Sequence, residues 1–121
     1  MGGLQRMDNI YDKAHELAAL LKNHEDVVNY RESVRHIEGD AVKKAMINDF
    51  RNIQIETYQE KVKTGEISDE MKRKFENLVN IIQLNPEVAD FLNKEQKFSI
   101  LFDDIMKILN EALDLEIPGA N

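Results

Sequence analysis

The chain has 121 residues and no cysteine, 42% of it is hydrophobic and 32% charged, and its formal net charge is −7. That length fits one domain, and that balance is too apolar for an intrinsically disordered chain. Without cysteine there is no disulfide, thiolate nucleophile, cysteine-ligated zinc or iron–sulfur site.

The charge is uneven. Residues 1–64 carry 10 basic and 11 acidic side chains, and residues 65–121 carry 6 and 12. A nucleic-acid binder usually shows a basic footprint. Here the one short basic cluster, Lys72-Arg73-Lys74, is flanked by Asp69, Glu70 and Glu76. No run approaches the roughly 20 apolar residues of a membrane span, and no hydrophobic signal core is visible at the N-terminus. Met1-Gly2-Gly3 resembles a myristoylation start, but Arg6 stands where that motif wants Ser or Thr. A cytoplasmic location is the expectation.

Nearly every segment carries the helical period, and none alternates at period 2. Residues 1–7 read as a disordered N-terminal extension. The first helix is expected over Asn9–Lys22, capped by Asp8, with Ile10, Ala14, Leu17, Ala18 and Leu21 on one face. A second spans about Asp26–Glu38 through Val27, Tyr30, Val34 and Ile37, ended by Gly39 as a residue that tolerates positive φ. Asp40 caps a third, about Ala41–Lys63, with a stripe through Val42, Met46, Phe50, Ile53 and Thr57. A second row, Ile47, Gln54, Tyr58 and Val62, widens that stripe toward more than one neighbour. Gly65 marks its end.

Ser68 caps the fourth helix, with Asp69 and Glu70 in the first turn, where the dipole favours negative charge. Its core face is Met71, Phe75, Leu78, Val79 and Ile82. Asn85 as cap and Pro86 at the first helical position begin the fifth, which runs to about Leu115. That is roughly 30 residues, or ~45 Å. Residues 117–121 read as a frayed tail and 8–116 as a single helical domain. The fold class is all-α: about five helices in an antiparallel bundle, with long third and fifth helices.

A compact monomer of this mass would expose roughly 6,700 Å², and a ~45 Å helix is longer than such a globule is wide. Phe98, Phe102, Ile105 and Leu109 form one row of the fifth helix, with Leu101 and Ile108 beside it. That is more apolar surface than one neighbour helix needs. A twofold homodimer through helix packing is therefore expected, higher oligomers remaining open. The same surface would also receive a foreign helix.

Glu95 interrupts the apolar run of the fifth helix. As a general acid it would need a partner, a pocket and a raised pKa. As a seam residue it needs only a polar mate, and Arg51 or Gln54 on the third helix is the natural one. His15, His24 and His36 are dispersed and miss any zinc pattern such as H-E-x-x-H. Asp103-Asp104 lacks the spaced carboxylates of a calcium loop. Ser33, Ser68 and Ser99 have no base to activate them, and no glycine-rich phosphate loop is present. No enzyme, cofactor or metal is expected.

Three stretches carry a resemblance: NIYDKAHELAALLKNHEDVVNY from Asn9, DFRNIQIETYQEKVKTGEI from Asp49, and NPEVADFLNKEQKFSILFDDIMKILNEAL from Asn85. In order and spacing they resemble the YlbF/YmcA family of small helical proteins of Gram-positive bacteria, most closely its YheA-like branch, across residues 8–115. The resemblance implies a self-associating, all-helical cytoplasmic protein without catalysis. Members YlbF and YmcA are accessory proteins in competence, sporulation and biofilm control. They assemble with a third protein, YaaT, and influence messenger-RNA processing by RNase Y. Cysteines of those relatives are linked to an iron–sulfur cluster for which this chain has no ligand. The resemblance further implies structural or interface roles for Phe50, Arg51, Gln54, Glu95 and Phe98. The alternative readings are a direct RNA-associated factor and a small metal-binding protein.

Overall fold

The computed structural model describes residues 2–115, with side chains from Asn9 onward; the expected tail at 117–121 lies outside the described residues. Five helices follow one another, α1 (Gly2–Lys22), α2 (Glu25–Glu38), α3 (Ala41–Thr64), α4 (Asp69–Gln83) and α5 (Pro86–Leu113), with no strand among the described residues. Helix α1 begins well before the expected Asn9, so Asp8 stands inside it rather than capping it. Leu4, Gln5, Arg6 and Met7 are good helix formers that give the backbone no reason to stop there.

The caps explain most of the remaining boundaries. Asp40 Oδ1 accepts the Val42 and Lys43 N–H groups at 3.0 and 3.1 Å, and Ser68 Oγ accepts that of Met71 at 3.2 Å. Gly65 ends α3 in the left-handed region, φ 82°, its N–H returning to Lys61 O at 2.8 Å. Gly39 does not behave that way. Its φ is −91°, and the chain turns instead through an Asp40 N–H bond to Ile37 O. Asn85 also departs from expectation: its amide donates back to Ile81 O at 2.9 Å and leaves the α5 N-terminus without a side-chain cap. Pro86 still occupies the first turn, where its missing N–H does no harm.

Several braces lay outside the expectations. His24 Nδ1 accepts the Asp26 N–H at 3.0 Å and so caps α2; an imidazole accepting at Nδ1 carries its proton on Nε2. Asn23 and Arg31 donate to Ala19 O and Lys22 O, closing the end of α1. Across the α3–α4 connection, the Glu60 carboxylate accepts the Ser68 N–H, and the single Thr64 hydroxyl proton is shared between Glu60 O at 2.8 Å and Glu66 O at 2.9 Å. Lys43, paired with both Asp40 and Glu87, ties the first turn of α3 to that of α5.

The core sits at one end of the molecule. Ile37, Ile47, Leu78, Ile82, Val88 and Phe91 are its buried side chains, with Tyr30, Val34, Met46, Phe50, Ile53, Ala89 and Leu92 packed around them. Helix α2 lies antiparallel along α5: Tyr30 reaches Phe98, while Ile37, seven residues on, joins Val88 and Phe91. Helices α3 and α4 form a hairpin against the first half of α5, and among the described residues α1 contacts no helix but α2. Several residues expected in the core are outside it. Ile10, Val42, Tyr58 and Val62 are each about two thirds exposed. Periodicity placed them on apolar rows, but among the described residues no helix covers the side on which they stand. Accessible surface totals 9841 Å², against about 6,700 Å² for a compact chain of this mass.

Candidate functional site

Tyr30 is the hinge of the packing between α2 and α5. Its ring stacks on Phe98 at 5.0 Å between centroids and leans on Phe91 at 5.6 Å, and Phe98 in turn stacks on Phe102 at 5.9 Å. Such pairs add about 0.5–1.5 kcal/mol each beyond their burial. Phe91, Glu95, Phe98 and Phe102 succeed one another at helical spacing, so the ladder runs along one edge of α5. Glu95 is the polar rung.

Glu95 Oε2 accepts from the Tyr30 hydroxyl at 3.0 Å and from the Arg51 guanidinium. Of the two mates expected for this glutamate, Arg51 is the one that reaches it. The Tyr30 hydroxyl titrates above its ordinary value near 10.0, first because the phenol is partly desolvated, then because it donates to Glu95 and lies near that negative charge. Three helices therefore meet at one carboxylate: α2 through Tyr30, α3 through Arg51 and α5 through Glu95. The Glu95 side chain is 25% exposed and that of Arg51 46%, so the pair is partly screened and its net stabilisation modest.

Gln54 lies one turn beyond Arg51 and lines an open groove of about 530 Å³ between the α3–α4 hairpin and α5. Phe50, Phe75, Val79 and Leu92 supply its apolar wall, and Gln54, Asn93, Gln96 and Ser99 its polar lip. Phe50 and Phe75 face each other across it at 6.0 Å. Phe50, Gln54 and Glu95 are thus brought together at the groove, while Phe98 belongs to the ladder on the α2 side.

The other expected positions diverge. Ile105 is half-buried; Phe102 and Leu109 are each 45% exposed. With Met106 at 40% and Leu113 at 62%, Phe102 and Leu109 form a row spaced four, three and four residues apart. That spacing is a coiled-coil seam over two heptads, and among the described residues nothing covers it. Met106 and Leu113 were missed in the sequence, although the spacing was there to be read. Tyr30 was placed on a core row without its mate; a buried-edge tyrosine needs an acceptor for its hydroxyl, and that was the available signal.

Glu95 holds two donors on one oxygen, and no group of three or more His, Asp or Glu side chains among the described residues could hold a metal ion. No described helix is long and apolar enough to cross a membrane.

Comparison with known proteins points one way. Residues 10–114 match the family described as control of competence regulator ComK, YlbF/YmcA. A UPF0342 protein of Clostridium novyi is 41% identical over 106 residues, 88% of this chain and 93% of that protein. A UPF0342 protein of Clostridium tetani is 38% identical over 109 residues, covering 90% and 94%. Among solved structures, a DUF964 protein from Bacillus stearothermophilus aligns with a TM-score of 0.65 at 17% identity, over 88% of this chain and 93% of that one. Bacillus subtilis RicA, in complex with RicF, aligns at 0.53 and 22% identity, over 88% and 94%. Both are similar in fold.

Proposed function

The chain belongs to the YlbF/YmcA family, and from that premise we propose that it is a non-enzymatic regulatory adaptor acting by helix-to-helix contact with other proteins. One observation carries the proposal: Ile100, Phe102, Met106, Ile108, Leu109 and Leu113 of α5 are 40–65% exposed. Monomeric proteins rarely leave so long an apolar row in water without a partner for it. The neighbour RicA, solved in complex with RicF, supports a protein as that partner. In this reading the chain works in the cytoplasm, self-associates as a homodimer and also engages a second protein. Its place is among the family's roles in competence, sporulation, biofilm control and RNase Y-linked messenger-RNA processing.

Affinity capture from native-host cells tests this, comparing wild type with an Ile100→Glu/Ile108→Glu variant. Both positions are more than half exposed, so the fold should survive. A defined protein, identified by mass spectrometry, should be recovered with the wild type and lost with the variant. Recovery of RNA alone, with affinity falling steeply as salt rises, would overturn the adaptor reading.

A further inference from the structure

Helices α2 and α3 enclose a second hollow, which shares no lining residue with the groove beside Glu95. Its volume is about 350 Å³, the room of about a dozen water molecules at ~30 Å³ each. Ile37, Ile47 and Phe91, all buried, form the floor, with Tyr30 and Val34 beside them. The rim is polar: Lys44, Asn48 and Arg51 on α3, and Glu38 on α2. An apolar floor with a few polar groups converging at the mouth is how small-molecule sites are built, and this volume lies at the lower end of their range.

The rim decides what fits. Lys44, Asn48 and Arg51 follow one another at helical spacing, within an arc of about 60° on one edge of α3. All three carry N–H donors. Arg51 gives one of its guanidinium groups to Glu95 and keeps further N–H groups beyond that bond. Lys44 forms no ion pair among the described residues, although Glu38 lies across the mouth, and Glu38 forms none either. In a chain of net charge −7, one wall of this hollow is therefore a row of donors that includes an unmet cation. An acceptor carrying negative charge suits that wall, and an apolar body suits the floor.

We infer that the hollow between α2 and α3 binds a small organic acid, a monocarboxylate on an apolar body, about ten non-hydrogen atoms in all. The body rests on Ile37, Ile47 and Phe91 beside the Tyr30 ring, and the carboxylate takes the donors of Lys44, Asn48 and Arg51. Tyr30 and Arg51 also hold Glu95, and Phe91 belongs to α5. A ligand seated here touches all three helices that meet at that carboxylate. Its occupancy braces the junction and stabilises the folded chain by mass action. The site makes no use of the exposed end of α5, so it stands apart from the adaptor reading.

The test titrates octanoate into the full chain and follows backbone amide signals by NMR. Saturable shifts at Val34, Ile37 and Asn48 are expected, with a Kd of about 1 mM for a ligand of this size. Acetate, the head alone, and octanamide, the uncharged counterpart, should each bind about tenfold more weakly or worse. Lys44→Gln should weaken octanoate about fivefold and leave octanamide unchanged, whereas Glu38→Gln should tighten octanoate about threefold. Both positions are exposed, so the fold should tolerate these changes. Octanamide bound as tightly as octanoate would mean a plain apolar hollow and overturn the inference. So would a wild type still unsaturated at about 20 mM octanoate, a Lys44→Gln variant of unchanged affinity, or shifts confined to the end of α5. A chain that binds octanoate yet captures no protein loses the adaptor reading and keeps this site; the opposite pair of results does the reverse.

Discussion

Val88 and Leu109 lie three heptads apart on one face of one helix, yet Val88 is 0% exposed and Leu109 45%. Both are aliphatic, both sit in regular α-helix, and both follow the same spacing. What differs is the neighbourhood. Helices α2, α3 and α4 converge on Val88 through Ile37, Ile47, Leu78 and Ile82, whereas among the described residues nothing encloses Leu109 in that way. One half folds the protein and the other is free to meet something else. Burial is a property of what surrounds a residue, and a helical stripe only makes it available.

The largest contrast should come from truncating the two halves. Phe91→Ala should cost about 3–5 kcal/mol of unfolding free energy in urea titrations. Leu109→Ala, measured at concentrations low enough to hold the chain as a monomer, should cost under about 1 kcal/mol, because its side chain is already half in water. Equal losses would erase the distinction between the halves.

Next comes the polar rung between them. Tyr30→Phe should cost about 1 kcal/mol through the lost hydrogen bond to Glu95. It should also change the alkaline limb. The folded-state pKa of Tyr30 is raised, so its contribution to stability is complete below its ordinary value near 10.0 and lost as pH rises through the raised folded value. Wild type should therefore lose stability above about pH 10 more steeply than Tyr30→Phe. Parallel alkaline limbs would remove Tyr30 from the account.

Glu95→Leu should leave stability within about 1 kcal/mol of wild type or raise it, since the half-exposed Arg51 turns to water and the seam gains a side chain that packs. A loss of several kcal/mol would mean that the carboxylate is an essential fastener. The smallest effects should separate the two glycine turns. Gly65→Ala should cost about 1 kcal/mol because of its φ of 82°. Gly39→Ala, at φ −91° with nothing within 4 Å of an added Cβ, should be neutral within about 0.5 kcal/mol. Thermal melts of the two side by side would show it.

Legibility followed the range of the interaction. Asp40, Ser68 and Gly65 could be read because a cap is settled by the four or five residues around it. The Glu95 rung was half legible: a polar break in an apolar row announces a mate. Arg51 and Gln54 were equally placed by spacing, and Tyr30, 65 residues away in sequence, came from another helix. Val42, Tyr58 and Val62 misled because a periodic row does not disclose which side of a helix its neighbours cover. Gly39 misled because a glycine permits a left-handed turn without requiring one.

By itself, the sequence determined the five helices, nearly all their boundaries, the absence of cysteine chemistry and the membership of a helical family. All of these follow from short-range backbone preferences and from patterns along the chain. Tertiary structure alone decided that the core gathers at one end of α5, that Arg51 and Tyr30 share one carboxylate, and that the row from Phe102 to Leu113 is left in water. The reason is geometric: a helix's own residues set its period, but the lengths and directions of the others decide how much of that period is covered.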